Sequence, residues 1–439
     1  MRASPHHVRL VPLLLCVSLG LAPRRAASET YYVSQSGNDA DAGTIRRPWS
    51  TLQHAADRVM PSDTVIVLSG VYAGFNVFRS GTPGHPITFS ARPGVLVNIA
   101  AAGTHRSRIN LENASYVVIE GFEIVGTNNQ TNSKEGIRII GPQDGSAGHI
   151  TIRRNHIHHN GDRNILTGFV SHLVIEDNIA HHAAEEHGIY VSNSADTHVI
   201  RGNLVYANAR SGIQINADLS EGGDGVVTDA VIEGNVIYGN GDGGIVDYGN
   251  GPVVASGGGS AINLDGVQRS IIRNNLLYDN HASGISLYRI DGGEPSHDNL
   301  VVDNIIINAD NARWALNIQD GSSRNTVRDN MLFSRNPLSG AIRIDSPSLV
   351  GFDSDDNVVE NYFAIDEVAV DVWQWRSRTG ADEHSVAVTW TGLEALLDFE
   401  RFERDTMPRC TQGLHPALSC LVALDRGRTP ANTPRPLPR

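Results

Sequence analysis

The chain has 439 residues, of which 40% are hydrophobic and 19% are charged, so it is long and apolar enough to bury a sizeable core. Glycine is abundant, with 44 residues, and aromatic residues make up only 6%, a composition that does not fit a helical bundle. The 35 basic and 48 acidic residues give a formal net charge of −13. Because sequence-independent nucleic-acid binding needs a basic surface, we expect no nucleic-acid partner.

The first 28 residues have the features of a secretory signal. Arg2 and Arg9 make the start positive, residues 10–22 form a short apolar run, and residues 26–28 (Ala-Ala-Ser) fit a cleavage site. The apolar run is too short to span a membrane, and no later segment is long and apolar enough. The sequence therefore predicts a signal peptide at 1–28 and a secreted or periplasmic protein with no stable membrane insertion.

One phrase recurs through the middle of the chain: a β-branched residue, two mostly polar residues, an asparagine, and then a few mostly apolar residues. The recurring asparagines are Asn155, Asn178, Asn203, Asn235, Asn275, Asn304, Asn330 and Asn361. A second short strand with alternating apolar residues follows most of the phrases, as at residues 188–192 and 212–216. Repeats longer than about 20 residues with strict alternation are typical of a parallel β-solenoid. We interpret the asparagine as an inward-facing turn residue that hydrogen-bonds its equivalent in the next coil.

The repeat predicts an all-β protein whose single domain, residues 29–363, is a parallel β-helix. Residues 50–59 have the pattern of a short amphipathic helix, which would cover the open N-terminal end of the core. From residue 364 the asparagine phrase is lost, so we predict an irregular C-terminal cap at 364–428 and a disordered proline-rich tail at 429–439. Once the signal, with Cys16, is removed, Cys410 and Cys420 remain, and an even count in an exported chain predicts one disulfide.

The N-terminal part resembles the cap of secreted right-handed parallel β-helix proteins of the polysaccharide-lyase type. The resemblance rests on YYVSQSGND at residues 31–39, PWSTLQHA at residues 48–55 and DTVIV at residues 63–67, and the coils up to about residue 360 are similar to the general repeat of that fold. It implies a right-handed β-helix and a carbohydrate substrate. Relatives include uronate lyases, mannuronan C5-epimerases, glycoside hydrolases and binding proteins. The Asp-Pro-His-Glu type motif of the epimerases is absent here.

Function in a β-helix is expected on the outward residues of one sheet and in the loops beside it. Alternation along the second strand of each repeat directs a polar, hydrogen-bonding set of side chains outward, in a ladder with a step of about 4.8 Å. Such a surface suits an extended sugar chain. The predicted substrate-binding residues are Arg138, Gln214, Asn216, Asn263, Asp265, Asn317, Gln319 and Arg343.

Cleavage of a uronate polymer by β-elimination needs a cation or hydrogen bonds on the C5 carboxylate, a base for the C5 proton and an acid for the departing oxygen. His187 and Lys134 are candidate bases, and Tyr190 and Tyr288 are candidate acids. The candidate carboxylate-binding residues are Arg138, Arg163 and Arg289. A lyase acting on uronate-containing polysaccharide is therefore the first functional hypothesis, and a monomer is expected.

Two acidic loops are candidate calcium sites, because Ca²⁺ takes carboxylate and carbonyl oxygens. The first contains Asp218, Glu221 and Asp224, and the second contains Asp291, Glu294 and Asp298. A bound Ca²⁺ would also help a negatively charged protein to hold an anionic polymer. Five histidines form a further cluster that resembles a metal site: His156, His158, His159, His181 and His182. Since tyrosines fill the equivalent positions in later repeats, we interpret this cluster as a stacked polar face.

Two alternatives remain open. The first is a glycoside hydrolase that uses a pair drawn from Asp218, Asp247 and Asp265, since such enzymes work with two carboxyl groups. The second is a non-catalytic carbohydrate-binding or envelope protein, because the repeat itself requires no chemistry.

Overall fold

The structure, a computed structural model, describes residues 28–389 apart from residues 104, 130–132, 248–251 and 256. The predicted signal segment, except for its last residue, lies outside these residues. So do the predicted disulfide partners Cys410 and Cys420 and the predicted tail at 429–439.

The described chain winds through three parallel sheets of twelve strands each, so that every coil contributes one short strand to each sheet. We number the sheets in the order in which a coil passes through them. The parallel β-helix predicted from the repeat is confirmed. None of the described helices is long and apolar enough to cross a membrane.

The first sheet begins each coil and contains the apolar residues that precede the recurring asparagine. Its neighbours pair in register, for example Ile175 with Ile200. Its strands are Thr30–Val33, Thr64–Val67, Ile87–Ala91, Val117–Glu120, Thr151–Arg153, Val174–Glu176, Val199–Arg201, Val231–Glu233, Ile271–Arg273, Leu300–Val302, Thr326–Arg328 and Asp353–Asp355.

The second sheet follows the asparagine turn, and several of its outward side chains are aromatic or apolar rather than charged. Its strands are Gly70–Ala73, Val95–Ile99, Glu123–Val125, His156–His158, Ile179–His181, Leu204–Tyr206, Val236–Tyr238, Leu276–Tyr278, Ile305–Asn308, Met331–Ser334, Val358–Glu360 and Val386–Val388.

The third sheet ends each coil, and its outer face holds the polar ladder expected from the alternation. Its strands are Phe75–Val77, Ile109–Glu112, Ile137–Ile140, Ile165–Gly168, Ile189–Ser192, Ile213–Asn216, Ile262–Asp265, Ile285–Tyr288, Leu316–Ile318, Ile342–Ile344, Phe363–Ile365 and Val368–Val370. The last two of these strands pair antiparallel, whereas the preceding pairs are parallel.

One continuous apolar core fills the space between the three sheets. Ile189, Ile213, Ile262 and Ile285 follow one another in register and have no exposed surface. Burying each such side chain stabilises the fold by about 1.5–3 kcal/mol. No single coil can bury its apolar face alone, so stability requires the stack.

The recurring asparagines form a buried hydrogen-bonded ladder, as the sequence predicted. The Nδ2 of Asn178 donates to the Oδ1 of Asn203 at 3.1 Å and to the carbonyl of Ile152 at 2.8 Å. The same pattern continues to Asn330, whose Nδ2 donates to the Oδ1 of Asn357. The last rung is therefore Asn357 and not the predicted Asn361, because Ser354 stands where earlier coils have the β-branched residue that begins the phrase.

Both ends of the core are covered by a short helix. The N-terminal helix, α1 (Leu52–Ala56), lies within the predicted 50–59 segment and buries its apolar face. The C-terminal helix, α2 (Val372–Thr379), begins with a capping box made by Asp371 and Gln374. Its Trp375 has no exposed surface and stacks on Phe363 with ring centroids 4.7 Å apart.

The remaining elements lie outside the three large sheets. Two turns of 3₁₀-helix lie at Leu219–Glu221 and Ser346–Leu349. Two short parallel pairs and one antiparallel pair form three separate two-stranded sheets. These pairs are Ala147–Gly148 with Val170–Ser171, Val227–Thr228 with Val267–Gln268, and Gly244–Asp247 with Pro252–Ala255.

Candidate functional site

A polar cleft of about 470 Å³ lies on the outer face of the third sheet. Its floor is formed by outward residues of the strands Ile189–Ser192, Ile213–Asn216, Ile262–Asp265 and Ile285–Tyr288. The lining residues are Arg163, Glu186, His187, Tyr190, Arg210, Ser211, Gln214, Asn216, Gly257, Gly258, Gly259, Asn263, Asp265, Tyr288, Ile290 and Asp291. The cleft thus contains eight of the predicted site residues and several residues that were not singled out.

Glycines form one wall of the cleft because their backbone approaches the floor closely. At Gly259, φ is +89°, and a Cβ would lie 2.3 Å from the Oγ of Ser211. A larger residue at this position would push the wall away from the floor.

A ladder of charged residues runs along the upstream edge of the third sheet. Lys134, Asp162, Glu186 and Arg210 each stand three residues before the first isoleucine of their strand. Backbone hydrogen bonds join the four residues in order, because each N–H donates to the carbonyl of the ladder residue in the preceding coil. The donors are Asp162, Glu186 and Arg210. This constant offset is the sequence signal that would have identified Asp162 as a member of the site.

Glu186 is the centre of the charged network. Its Oε2 lies 3.0 Å from the Nε2 of His187, and its Oε1 lies 3.9 Å from Arg163 and 3.6 Å from Arg210. Burial alone would raise the pKa of this carboxyl, but the His187 hydrogen bond and the two guanidinium groups outweigh it and lower the pKa to about 2. Glu186 is therefore ionised at neutral pH.

His187 uses both of its ring nitrogens. Nδ1 accepts the backbone N–H of Ser211 at 3.1 Å, which leaves the proton on Nε2, facing Glu186. Burial lowers the pKa of the imidazole, so the ring stays neutral near neutral pH. In this state the side chain has no free lone pair to accept a proton.

Tyr190 presents its phenol to the cleft beneath a cation. The guanidinium carbon of Arg163 lies 5.1 Å from the ring centroid, and Arg163 is itself held by Asp162 at 2.7 Å. The Nδ2 of Asn216 donates to the phenol oxygen at 3.2 Å and to Asp291 at 3.1 Å. Burial raises the pKa of Tyr190 despite the Asn216 hydrogen bond and the charge of Arg163, so the phenol keeps its proton.

Tyr288 belongs to a second polar network on the cleft floor. The Nδ2 of Asn263 donates to its phenol oxygen at 2.6 Å and to the Oε1 of Gln214 at 2.7 Å. Burial raises the pKa of Tyr288 to about 12. Both tyrosines of the cleft are therefore proton donors at neutral pH.

Asp265 anchors the loop that closes the downstream end of the cleft. Its carboxylate accepts the backbone N–H groups of Ile290, Asp291 and Gly292 at 2.9–3.1 Å. Burial raises its pKa, although these hydrogen bonds oppose the shift. Arg289 also serves this loop, because its Nε donates to the carbonyl of Gly292 at 3.2 Å.

Six of the predicted catalytic and substrate-binding residues do not line the cleft. Arg138 lies upstream, where it donates to Asn110 at 2.8 Å and pairs with Glu112 at 2.6 Å. Arg343 pairs with Glu367 downstream. The six are Lys134, Arg138, Arg289, Asn317, Gln319 and Arg343. The sequence pattern gave them the correct face of the sheet but did not show where along the sheet the loops make a cleft.

A family model described as a Pel9A-like, right-handed β-helix region matches residues 31–312 of this chain. The chain belongs to the Pel9A-like right-handed β-helix family. An uncharacterized protein of Bacillus subtilis strain 168, YwoF, is 28% identical over 363 residues, which are 77% of this chain and 75% of that protein. The crystal structure of pectate lyase Pel9A matches with a TM-score of 0.52 and 17% identity, over 70% of this chain and 76% of that one. The fold, including its right-handed winding, is thereby confirmed.

The acidic loop predicted to bind calcium uses its carboxylates locally in this Pel9A-like chain. Asp218 Oδ1 accepts the backbone N–H of Ser220 at 2.8 Å, and Asp224 Oδ1 accepts that of Val226 at 3.1 Å. Among the described residues, Asp218, Glu221 and Asp224 are not one of the groups whose ligand atoms converge within 4.8 Å. Calcium binding by this loop therefore stays a prediction.

The histidine cluster on the second sheet is a stack, in agreement with its sequence interpretation. The rings of His158, His181, Tyr206, Tyr238 and Tyr278 follow one another at 4.5–4.9 Å and within 15° of parallel. Burial and the neighbouring imidazoles lower the pKa of His158 to about 4 and that of His181 to about 2. Both rings are therefore neutral near pH 7.

Proposed function

We propose that this protein cleaves uronate-containing polysaccharide by β-elimination in the cleft of the third sheet. The observation that carries the proposal is that two guanidinium groups and two protonated phenols face one polar cleft, with an amide-lined floor between them. These are the groups that a uronate carboxylate and a departing glycosidic oxygen require. Membership of the Pel9A-like family, whose namesake is a pectate lyase, agrees with this choice.

Arg210 is the proposed ligand of the uronate carboxylate. It lines the cleft, its side chain is 40% exposed, and its contact with Glu186 is a loose 3.6 Å. Arg163 is bound more firmly, at 2.7 Å to Asp162, so its role is to hold Tyr190. The guanidinium of Arg210 would withdraw charge from the carboxylate and acidify the adjacent C5 proton.

Tyr190 is the proposed acid. Its phenol faces the cleft, keeps its proton through burial, and receives a hydrogen bond that leaves the phenol hydrogen available. Transfer of that hydrogen to the glycosidic oxygen would complete the cleavage. Tyr288, in the second network, is the alternative donor for a sugar bound one or two coils downstream.

Lys134 is the proposed base. Of the two sequence candidates, His187 has both nitrogens in hydrogen bonds and instead positions Glu186. Lys134 begins the charged ladder two coils before the coil of Tyr190, about 10 Å away along the β-helix axis, and does not line the cleft, so its long side chain would have to extend along the ladder to reach a bound sugar. Its amine would take the C5 proton.

The hydrolase alternative has less support from the geometry. Asp265 is committed to the backbone of residues 290–292, and Asp218 caps its own 3₁₀ turn. The side chain of Asp247 lies outside the described residues. No pair of these carboxylates is therefore free on opposite sides of a bound sugar.

The test incubates the purified protein with pectate, alginate and other polyuronates and follows the ultraviolet absorbance of the unsaturated uronate product. We expect an increase that is lost in Lys134→Ala and in Lys134→Arg, because arginine keeps the charge but does not accept the proton. Loss of the absorbance in chelator would bring the predicted calcium loops into the site. New reducing ends without absorbance would instead establish a hydrolase, and polysaccharide binding without new ends would establish a binding protein.

A further inference from the structure

Three histidines of the second sheet bring ring nitrogens together at one point of its outer face. His156 and His158 lie on one strand, and His181 ends the next strand, in register with His158. One ring nitrogen from each lies within 4.8 Å of the other two, and the Nε2 atoms of His156 and His181 are 2.8 Å apart. The stacked arrangement thus holds three imidazoles in one compact cluster.

The spacing of these nitrogens is close to that of metal ligands. Two imidazole nitrogens bound at 2.0–2.1 Å to a tetrahedral Zn²⁺ lie about 3.3 Å apart. The 2.8 Å between His156 and His181 needs to open by only about 0.5 Å to reach this value. The rings of His158 and His181, which stack within 3° of parallel, would also have to turn so that their lone pairs converge on the ion.

A carboxylate lies beside the cluster, and one ring nitrogen in the cluster is without a hydrogen bond. Glu123 precedes His156 in register, and its Oε1 lies 3.6 Å from the Nε2 of His158. The Nε2 of His158 is buried and has no hydrogen-bond partner among the described residues. A buried nitrogen without a partner is unfavourable, and a metal ion would satisfy it.

We propose that His156, His158 and His181, with Glu123 as the fourth ligand, bind a divalent transition metal of the Zn²⁺ class. Imidazole with one carboxylate is a donor set that suits zinc and not calcium, which takes oxygen ligands. The four side chains come from three successive coils, so the ion would tie these coils together. The site lies on the second sheet, whereas the cleft lies on the third, and it does not depend on the proposed lyase activity.

A second histidine pair provides a matched control. His149 and His172 also stack between neighbouring coils, with ring centroids 4.4 Å apart and planes within 11°. No third ligand joins them in the groups found among the described residues. His172→Ala therefore removes a stacked histidine without touching the proposed site.

The experiment uses the full chain without a histidine tag, stripped with chelator and titrated with Zn²⁺ by calorimetry. We expect binding at this site to weaken at least tenfold in His156→Ala and in His181→Ala, and to be unchanged in His172→Ala. Zn²⁺ should raise the unfolding temperature of the natural protein and of His172→Ala, but much less that of the two site variants.

Glu123→Gln keeps the proposal testable if a histidine variant fails to fold, since Glu123 is half-exposed and its loss leaves the stack intact. We expect this variant to bind Zn²⁺ several-fold more weakly and to change the visible spectrum of bound Co²⁺. Zn²⁺ binding that is absent from the natural protein, or equal in His156→Ala and His172→Ala, would overturn the proposal. An unaltered Co²⁺ spectrum in Glu123→Gln would exclude the carboxylate.

Discussion

At the scale of single residues, the cleft is built from side chains whose protonation is set by burial and by one or two named partners. Tyr190 and Tyr288 keep their protons because burial disfavours the phenolate, whereas Glu186 loses its proton because His187 and two arginines outweigh burial. Two protonated phenols and one ionised carboxylate thus lie in the same cleft at the same pH. This separation of pKa values is what acid–base chemistry requires.

Replacement of Tyr190 by phenylalanine tests the proposed acid. The ring would still lie beneath Arg163, so the fold should be retained, whereas the proton donor is lost. We expect kcat on a polyuronate to fall by about 100- to 10,000-fold. Tyr238→Phe is the control, because Tyr238 stacks between two tyrosines on the second sheet. A loss of less than threefold in Tyr190→Phe would contradict the assignment.

The ionisation of Glu186 predicts a specific acid sensitivity. Its folded pKa of about 2 lies below its ordinary value, so its contribution to stability is present above about pH 4.5 and is lost as the pH falls toward 2. We expect the free energy of unfolding of the natural protein to fall in this window by on the order of 3 kcal/mol more than that of Glu186→Gln. Denaturant titrations at several pH values measure the difference. Equal losses in the two proteins would show that the ion network is not formed.

At the scale of elements, the outer face of the first sheet holds a ladder of alternating charge. Glu120, Arg153, Glu176, Arg201 and Glu233 follow one another in register on successive strands. Arg201 pairs with Glu176 at 2.6 Å, and the arginine side chain is 47% exposed, whereas that of Glu176 is 13% exposed. Exposed pairs contribute at most about 1 kcal/mol each, so this ladder fixes register more than it adds stability.

The C-terminal helix α2 should matter far more than the ion pairs, because it covers the end of the core. Trp375 is fully buried, stacks on Phe363 and donates its indole N–H to Asp382 at 2.8 Å. We expect Trp375→Ala to destabilise the protein by about 3–5 kcal/mol. Trp373, on the same helix and 72% exposed, provides the control, and Trp373→Ala should change stability by less than about 0.5 kcal/mol. Thermal and denaturant unfolding of both variants decide this.

The sequence predicted the repeated parts of the molecule well and the parts that occur once poorly. Asn178 and Asn203 could be interpreted correctly because each rung repeats the same local requirement, a buried turn with an amide to satisfy it. Asn361 was misassigned because Ser354 replaces the β-branched residue of the phrase in the last coil, and the strand register shows that Asn357 completes the ladder. The alternation of apolar and polar residues along the strands correctly predicted that Gln214 and Asn263 face outward.

The extent of the cleft could not be predicted, because it depends on which loops rise beside the sheet. Lys134 and Arg343 share the face of Tyr190 but lie outside the cleft that Gly257–Gly259 and the 290–292 loop enclose. The partner that occupies His187 was equally hidden, since the backbone N–H of Ser211 becomes its neighbour only through the coil stacking. The extent of the cleft and the hydrogen-bond partners of its residues therefore depend on contacts between successive coils, which the spacing of residues in the sequence does not show.

At the scale of the whole molecule, charge opposes the proposed substrate. The chain has a formal net charge of −13, whereas the cleft concentrates Arg163 and Arg210 at one place. Long-range repulsion acts over about 30 Å at 0.01 M salt but only about 8 Å at 0.15 M. Contacts inside the cleft are shorter than both lengths, so salt should weaken the repulsion more than the binding.

We therefore expect KM for a polyuronate to fall when sodium chloride is raised from about 0.01 to about 0.15 M, because screening removes mainly the long-range repulsion. Binding of a neutral oligosaccharide should not change over the same range. Initial-rate measurements at fixed pH provide the test. A KM that rises with salt would mean that attraction by the cleft arginines dominates association.

The asparagine ladder also restricts how such a chain can lengthen or shorten during evolution. Each asparagine accepts a hydrogen bond from the asparagine of the preceding coil and donates one to the asparagine of the next coil. The contact between neighbouring coils is therefore the same at each of these positions. Removing residues 179–203 as a block would bring Asn178 against Asn235 and leave equivalent partners in contact. Removing a single residue from a strand would turn its apolar side chains to solvent. The molecule is therefore free to change length in whole coils, and loops between strands are the only places where smaller changes fit.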